Sequence, residues 1–454
     1  MFFRTKHCIS PKNKVILQYN FDTNRADRKA DPMASITEQL QTPYFVIDEP
    51  ILNHYYDMLV ESLSSNWNNY LIGYSFKTNS LPWLVSYVKK RGAYAEVVSE
   101  DEYSLAKYMG YNDNEIVYNG PYKGERSFCN VLLADGIVNL DSMQEIGWLT
   151  SLVNLHPDKT FSVGIRANFN LEKMCPGETT MGEVSGRFGF CYETGRLAEA
   201  LEILRNIPNV SVTGLHLHSS SKSRSVNIFR SIARMACQLK TEFDLNLEYI
   251  DLGGGYCGGM EGRPEYPDYF PAVAEELNKC FTPEHTKLIV EPGISLISKC
   301  TTFVTSVFDT RDIKGTRYVM TDGSRFNIDP TMIKSSHLFH VEQVETDSDK
   351  APLNPHLAAY SGQRNFNDRP VMESQVISGF TCMEVDRLFT YTNQPELIPG
   401  DRITYENVGG YTMSLNPLFI QYFPAVYVRN GDNIRIVRKK WTPAEYVQGS
   451  EWEQ

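Results

Sequence analysis

Lys77, in the stretch Tyr74-Ser75-Phe76-Lys77-Thr78-Asn79, opens a series of short motifs whose side chains could act together. Gly214-Leu215-His216-Leu217-His218 comes next, then Asp251-Leu252-Gly253-Gly254-Gly255, then Glu291-Pro292-Gly293, then Cys382 with Asp386. Together they supply an amine, a flat ring, a glycine turn, a carboxylate and a thiol. Those groups are what a protein needs to hold pyridoxal phosphate and use it as an electron sink. A lysine beside an apolar strand, or a triple glycine, says little alone; the reading rests on the order of all five.

Each motif has a role and a plainer alternative. Lys77 is the candidate Schiff-base lysine, because it follows the apolar run Leu71-Ile72-Gly73-Tyr74. Desolvation at such a strand end is expected to lower its pKa toward the neutral amine. His218 closes the run Val212–His218, and its ring is expected to stack on the cofactor, with Ser221 reaching the phosphate. His216 and His218 on one strand face could instead seat a metal, but the sequence offers no third or fourth ligand, so none is assigned. Gly253, Gly254 and Gly255 leave backbone N–H groups open to a phosphate, though a tight turn explains them equally. Glu291, with Gly293 beside it, would raise the pKa of a pyridine nitrogen and keep it protonated, which favours decarboxylation. Cys382 is either a buried structural thiol or the acid that reprotonates Cα after carbon dioxide leaves.

These residues need a frame that gathers strand ends. From Thr42-Pro43 to about Ser298, short apolar runs alternate with amphipathic segments such as Ser99–Met109 and Val226–Phe243. The runs include Tyr44–Ile47, Leu71–Phe76, Ala95–Val98, Ile116–Tyr118, Ile137–Leu140 and Phe161–Ala167. Val212–His218, Tyr249–Leu252 and Leu288–Val290 continue the series. Alternation of this kind predicts parallel βαβ units closing as a (β/α)8 barrel over residues 42–298. The motifs fall at the C-terminal ends of these strands, where a barrel places its active site. Thr301–Phe308, Thr316–Thr321, Ser374–Ile377, Arg402–Tyr405 and Ile434–Val437 then predict a C-terminal antiparallel β domain over residues 299–454. That domain is expected to take a further strand, near Lys14–Asn20, from the N-terminal segment 1–41.

A chain of 454 residues exceeds one ordinary core, in keeping with two domains. Its net charge of -11 argues against nucleic acid as a partner and fits a soluble protein. The nine cysteines are scattered, never in Cys-x-x-Cys spacing, and read as reduced thiols of a cytosolic protein. The first residues hold no apolar core of signal-peptide length, and no run approaches the ~20 apolar residues that span a bilayer.

The motifs resemble the ornithine/diaminopimelate/arginine decarboxylase family, with its alanine-racemase-like fold, over roughly Thr42 to Pro424. Matching stretches include Thr42-Pro43-Tyr44-Phe45, Asn119-Gly120-Pro121, Asn139-Leu140-Asp141-Ser142, Gly164-Ile165-Arg166 and Gly409-Gly410-Tyr411. The resemblance implies pyridoxal phosphate as cofactor and a head-to-tail homodimer with shared active sites. Lys77 would come from one subunit and Cys382 from the other. It also implies that Tyr411 and Ser221 contact the phosphate, that Arg166 supports the site, and that Glu96 stands where the family usually has an aspartate.

The departures bear on the substrate. Where the family usually has an arginine after Glu-Pro-Gly, this chain has Ile294, so a charge-assisted contact of roughly 1.5–3 kcal/mol is missing. The positions expected to read the substrate's far end, together with Asp386 and Tyr411, are Lys334 and Met383. Ornithine-type enzymes carry acids at those two positions. Diaminopimelate enzymes carry a glutamate at the second, and an arginine where Asp329 stands here. Lys334 would repel a cationic end. The expected activity is therefore α-decarboxylation of an amino acid or conjugate with an anionic or polar distal end. The alternatives are a diamino-acid decarboxylase or a catalytically silent regulatory homologue. Glu291 and Cys382 argue against a racemase of the same fold.

Overall fold

In a computed structural model of the chain, residues 40–184, 186–344 and 369–453 are described. The chain separates into Met1–Gln41 and a compact unit, Thr42–Gln454, which holds every described strand and helix. The expected strand at 14–20 lies outside the described residues.

The first described strand, β1 (Tyr44–Asp48), does not enter the barrel. It pairs antiparallel with β11 (Thr301–Ile313) and parallel with β17 (Ala425–Asn430), inside the second sheet. The expected barrel strand at Tyr44–Ile47 is thereby corrected. Tyr44, Phe45, Val46 and Ile47 are all buried, and a strand covered on both faces reads alike in either setting. Helix Glu49–Asn66 then carries the chain across to the barrel. Its N-cap, Asp48, accepts from the Ile51 N–H at 2.9 Å and pairs with Arg429.

Eight parallel strands close the barrel. They are β2 (Tyr70–Ser75), β3 (Tyr94–Ser99), β4 (Ile116–Tyr122), β5 (Ile137–Leu140), β6 (Phe161–Asn168), β8 (Val210–His216), β9 (Tyr249–Asp251) and β10 (Lys287–Val290). They neighbour one another in that order, and β10 pairs back onto β2. A two-residue strand, β7 (Phe190–Cys191), pairs only with β6. Helices such as Val226–Phe243 cover the outside, with Ile228, Phe229, Ile232, Ala236 and Leu239 buried at helical spacing.

The lumen is layered by the two-residue period of its strands. Leu71, Val117, Tyr249 and Ile289 form an apolar floor. Two residues on, Asn119, Asp251 and Glu291 are buried one level higher, toward the C-terminal ends. Room for the Tyr249 ring is made by Gly214, where a Cβ would lie 1.9 Å from it. The Tyr249 hydroxyl donates to Asn139 Oδ1 at 2.9 Å and so links floor to ceiling.

The second sheet is mixed rather than purely antiparallel. β12 (Thr316–Thr321) runs parallel to β14 (Val371–Ser378), as β1 does to β17, while its other pairings are antiparallel. Among the described residues, no helix is long and apolar enough to cross a membrane.

One buried ion pair beneath the strand ends carries a stability prediction. Lys123 Nζ lies 3.0 Å from Glu145 and also donates to the Gly120 carbonyl at 2.8 Å, with both side chains essentially out of solvent. Burial pushes the Lys123 pKa down and the Glu145 pKa up, and the pairing resists both. Lys123→Ala strands a buried carboxyl and is expected to cost about 3–5 kcal/mol, read as a fall in the urea midpoint. Adding Glu145→Gln should recover part of it, because the stranded charge is then gone.

Candidate active site

Lys77 sits in a single tight turn, Phe76–Thr78, directly after β2. Its side chain is one-third exposed, and Nζ donates to Glu96 Oε2 of β3 at 2.8 Å. Asn119 Nδ2 of β4 bridges Glu96 and Glu291, at 3.3 and 2.5 Å. Asn139 Nδ2 of β5 continues the network to Asn119 Oδ1 at 2.8 Å and Asp251 Oδ2 at 3.3 Å. A hydrogen-bonded layer thus runs across the barrel mouth and ends at the Lys77 amine.

Lys77 departs from expectation in its charge. Burial opposes the ammonium, but Glu96 and then Glu291 outweigh it and hold the pKa above the usual lysine range. The strand-end argument lacked a partner acid, and Glu96 provides one. Capture of an aldehyde needs the neutral amine, so Glu96 makes loading slower at neutral pH. Glu96→Gln should lower the Lys77 pKa and move the pH profile of cofactor capture to lower pH, by about one unit or more. Stopped-flow growth of the visible cofactor band measures it, and an unmoved profile refutes the pairing.

His218 lies in the loop two residues beyond the end of β8, not on the strand. Its Nδ1 accepts from the Gly254 N–H at 3.2 Å, which leaves Nε2 to carry the ring proton. Burial, Arg166 and Lys77 depress its pKa to about 3, so it is a neutral ring. His216, one level below, faces Glu291 Oε1 at 3.5 Å. The two imidazoles, 6.3 Å apart between centroids, therefore face different groups.

The glycine turn is tighter than its sequence suggests. A Cβ on Gly254 would lie 2.2 Å from the Glu291 carbonyl oxygen. The Gly253 N–H donates to Asp251 Oδ1 at 2.9 Å and the Gly254 N–H to His218. The expectation of three free N–H groups thus narrows to Gly255, whose N–H has no described protein partner. Ser221 Oγ accepts from the Arg224 N–H at 2.8 Å. Its loop is tied down by Glu178, which accepts from Ser223, Ser225 and Asn227. Arg166 pairs with Asp141 at 3.4 Å and lies 4.8 Å over the Phe188 ring, a supporting rather than a contacting position.

Tyr411 joins this cluster from the second sheet's side. Its N–H donates to the Thr78 carbonyl at 2.9 Å. Its backbone adopts φ +55°, a left-handed conformation that costs a non-glycine residue roughly 1–3 kcal/mol. Gly293 packs on Thr78, where a Cβ would be 2.2 Å from Oγ1. Ile294, next to it, starts a short helix and brings no charge.

The remaining expected residues form a separate unit. Asp386 is buried and accepts from Ser324 Oγ, the Arg325 N–H and both the N–H and Oγ1 of Thr381. In this chain it anchors the Cys382 loop. Arg325 runs on from there to Asp329 at 2.8 Å and to the Lys334 carbonyl at 2.8 Å. The Lys334 ammonium folds onto the Ile328 carbonyl at 3.1 Å, and burial lowers its pKa while Asp329 resists. Cys382 and Met383 are exposed. Among the described residues, no hydrogen bond or ion pair joins this unit to the Lys77 cluster.

The Lys77 cluster fits pyridoxal phosphate. The amine, the neutral His218 ring, the Glu291 acid, the free Gly255 N–H and the room left by Gly254 would hold it. Once bound, it supplies an electron sink for the pair released when a bond at Cα breaks. The chain's own residues would hold the ring and set its charge. Asn119, Asn139 and Asp251 had no assigned role in the sequence, although each opens a stretch singled out there and stands two residues after an inward-facing residue.

Comparison with known proteins agrees. Residues 58–298 match the family described as pyridoxal-dependent decarboxylase, pyridoxal binding domain. The chain is 23% identical over 430 residues to the L-glutamyl-[BtrI acyl-carrier protein] decarboxylase of Niallia circulans, covering 91% of this chain and 95% of that one. It is 22% identical over 433 residues to the diaminopimelate decarboxylase of Methanocaldococcus jannaschii, covering 91% and 92%. The crystal structure of a diaminopimelate decarboxylase from the same organism superposes with a TM-score of 0.77 at 21% identity, covering 92% of this chain and 94% of that one. With the family match spanning more than half the chain and the Lys77 cluster intact, this protein belongs to the pyridoxal-dependent decarboxylases.

Proposed function

We propose that the chain removes the α-carboxylate of an amino acid whose far end carries no free positive charge. The leading form is glutamate, or a glutamyl group held through its side-chain carboxyl on a carrier. The observation that supports this is the Arg325–Asp329–Lys334 unit, which holds Lys334 at the position where the resemblance expects an acid in a diamine enzyme. Asp329, spent on Arg325 and 1% exposed, offers no substitute for them. The relative from Niallia circulans, by its name, acts on a glutamyl group carried by an acyl-carrier protein.

Completion of the site by a second copy belongs to the same reading. Among the described residues, no hydrogen bond or ion pair joins the Cys382 unit directly to the Lys77 cluster within one chain. Ile333, Met383, Val385 and Ile420 stand exposed on or near the former. A homodimer would bring the two together, in the cytosolic setting that the free thiols suit.

The test is carbon dioxide release by the cofactor-loaded protein. The panel holds glutamate, its side-chain thioester with pantetheine, and ornithine, lysine and diaminopimelate. Release from the first two, at kcat/KM at least about tenfold above the others, supports the reading. Release confined to the diamino acids keeps the enzyme class and overturns the substrate.

A further inference from the structure

Below the Lys77 amine the barrel gathers more acids than it has cations to match. Glu96, Asp251 and Glu291 are 0%, 0% and 3% exposed. An oxygen of Asp251, an oxygen of Glu291 and a ring nitrogen of His216 all lie within 4.8 Å of one another. Three cations approach from neighbouring elements, and each has a carboxylate of its own. Lys77 is 2.8 Å from Glu96, Lys123 is 3.0 Å from Glu145 and Arg166 is 3.4 Å from Asp141. Asp251 and Glu291 are left with neutral donors only. Gly253 N–H and Asn139 Nδ2 serve Asp251, and Asn119 Nδ2 serves Glu291.

Two adjacent buried carboxyl groups served only by neutral donors resist ionising together. His216 does not supply the charge. Burial, then Arg166 and His218, hold its pKa well below the ordinary value, and both its ring nitrogens lack a hydrogen-bond partner. Tyr249 and Tyr256, facing the same acids, keep their phenol protons because burial raises their pKa values further.

We propose that Asp251 and Glu291 share one proton in the cofactor-free protein, and that Asp251 is the positioning residue that holds Glu291 in that state until the cofactor enters. The cofactor's ring nitrogen already carries its proton in neutral water, so on loading the shared O–H bond would break and its proton would leave to solvent. Glu291 is left as the carboxylate facing the new cation, and no electron changes hands. Burial and Asp251 push the Glu291 pKa far up, and burial lifts Asp251 to about 7, as a shared proton requires. The consequence is that loading would release this proton from the protein to solvent. This inference rests on the cofactor chemistry of the family and not on the substrate proposed above.

Infrared difference spectra between cofactor-free and loaded protein test it without turnover. At pH 7 the wild type should lose a protonated-carboxyl carbonyl band on loading, and Asp251→Asn, which is close to isosteric, should not. In parallel, calorimetry in two buffers of different ionisation heat should show Asp251→Asn releasing up to about one proton fewer to solution per subunit than the wild type. Glu291→Gln provides a second variant if Asp251→Asn does not fold, and it too should lose no such band. No band change in the wild type overturns the proposal. An unchanged band loss and equal proton release in Asp251→Asn, or a band loss retained in Glu291→Gln, does the same.

Discussion

Lys77→Ala is expected to leave a folded protein with no lysine-bound cofactor band in the visible and with carbon dioxide release reduced by roughly 10⁴-fold or more. The size follows from the role. The amine is the group that bonds to the cofactor, and removing a group that reacts covalently forfeits the pathway rather than a contact. The fold should survive, because Lys77 is one-third exposed and its Nζ makes one described ion pair, to Glu96. Glu96 then loses its cation and, already buried, is expected to take up a proton. Two controls separate chemistry from folding. The denaturant midpoint should shift little, and added alkylamine should restore part of the activity by supplying the missing nitrogen. A variant that keeps the visible band would displace Lys77 from its role.

The turn carrying Lys77, the glycine run and Glu291 were legible in the sequence because each motif packs its chemistry into adjacent residues at a strand end. The lumen network was not, because its members arrive one per strand. Asn119, Asn139 and Asp251 each sit on a different strand, and only closure of the ring makes them neighbours. The same closure turns Lys77 from a desolvated amine into the partner of Glu96, 19 residues away in the chain, reversing the expected direction of its pKa. Local pattern also could not place β1. Four consecutive buried residues fit a barrel strand and a covered sheet strand equally, and partner choice, to β11 and β17, is non-local. β17 and β15 (Arg387–Pro395) escaped prediction, the second because most of its residues are exposed or half-buried and lack clean alternation. Asp386 reads as a substrate residue from its place near Cys382. Its burial under Ser324, Arg325 and Thr381 depends on a turn some 60 residues earlier.

Cys382→Ala is expected to act on the second half of the reaction, and by a route that Lys77→Ala cannot imitate. If Cys382 delivers the proton to Cα, its loss should leave the first turnover's carbon dioxide release largely intact. Formation of the amine should fall by roughly 10²-fold, the low end of what a positioned general acid contributes. Protonation at the cofactor's carbon instead gives aldehyde in place of amine and strips the enzyme of active cofactor. Product analysis by mass, with the ratio of aldehyde to amine as the readout, therefore matters more than rate. Asp386 sharpens the test. Its four hydrogen-bond donors tie down the Cys382 loop, so Asp386→Asn should raise the same ratio while leaving the thiol present. Mixing the two inactive proteins adds the geometric part. Within one chain the Cys382 unit and the Lys77 cluster share no described hydrogen bond or ion pair, so a site built from two copies should be regenerated when Lys77→Ala and Cys382→Ala subunits exchange. One intact site per mixed dimer would return up to about a quarter of wild-type activity, since random exchange makes half the dimers mixed and each has one of its two sites whole. Clean amine formation by Cys382→Ala alone removes the thiol from the mechanism. No recovery on mixing, with exchange verified by mass, places both groups in one chain.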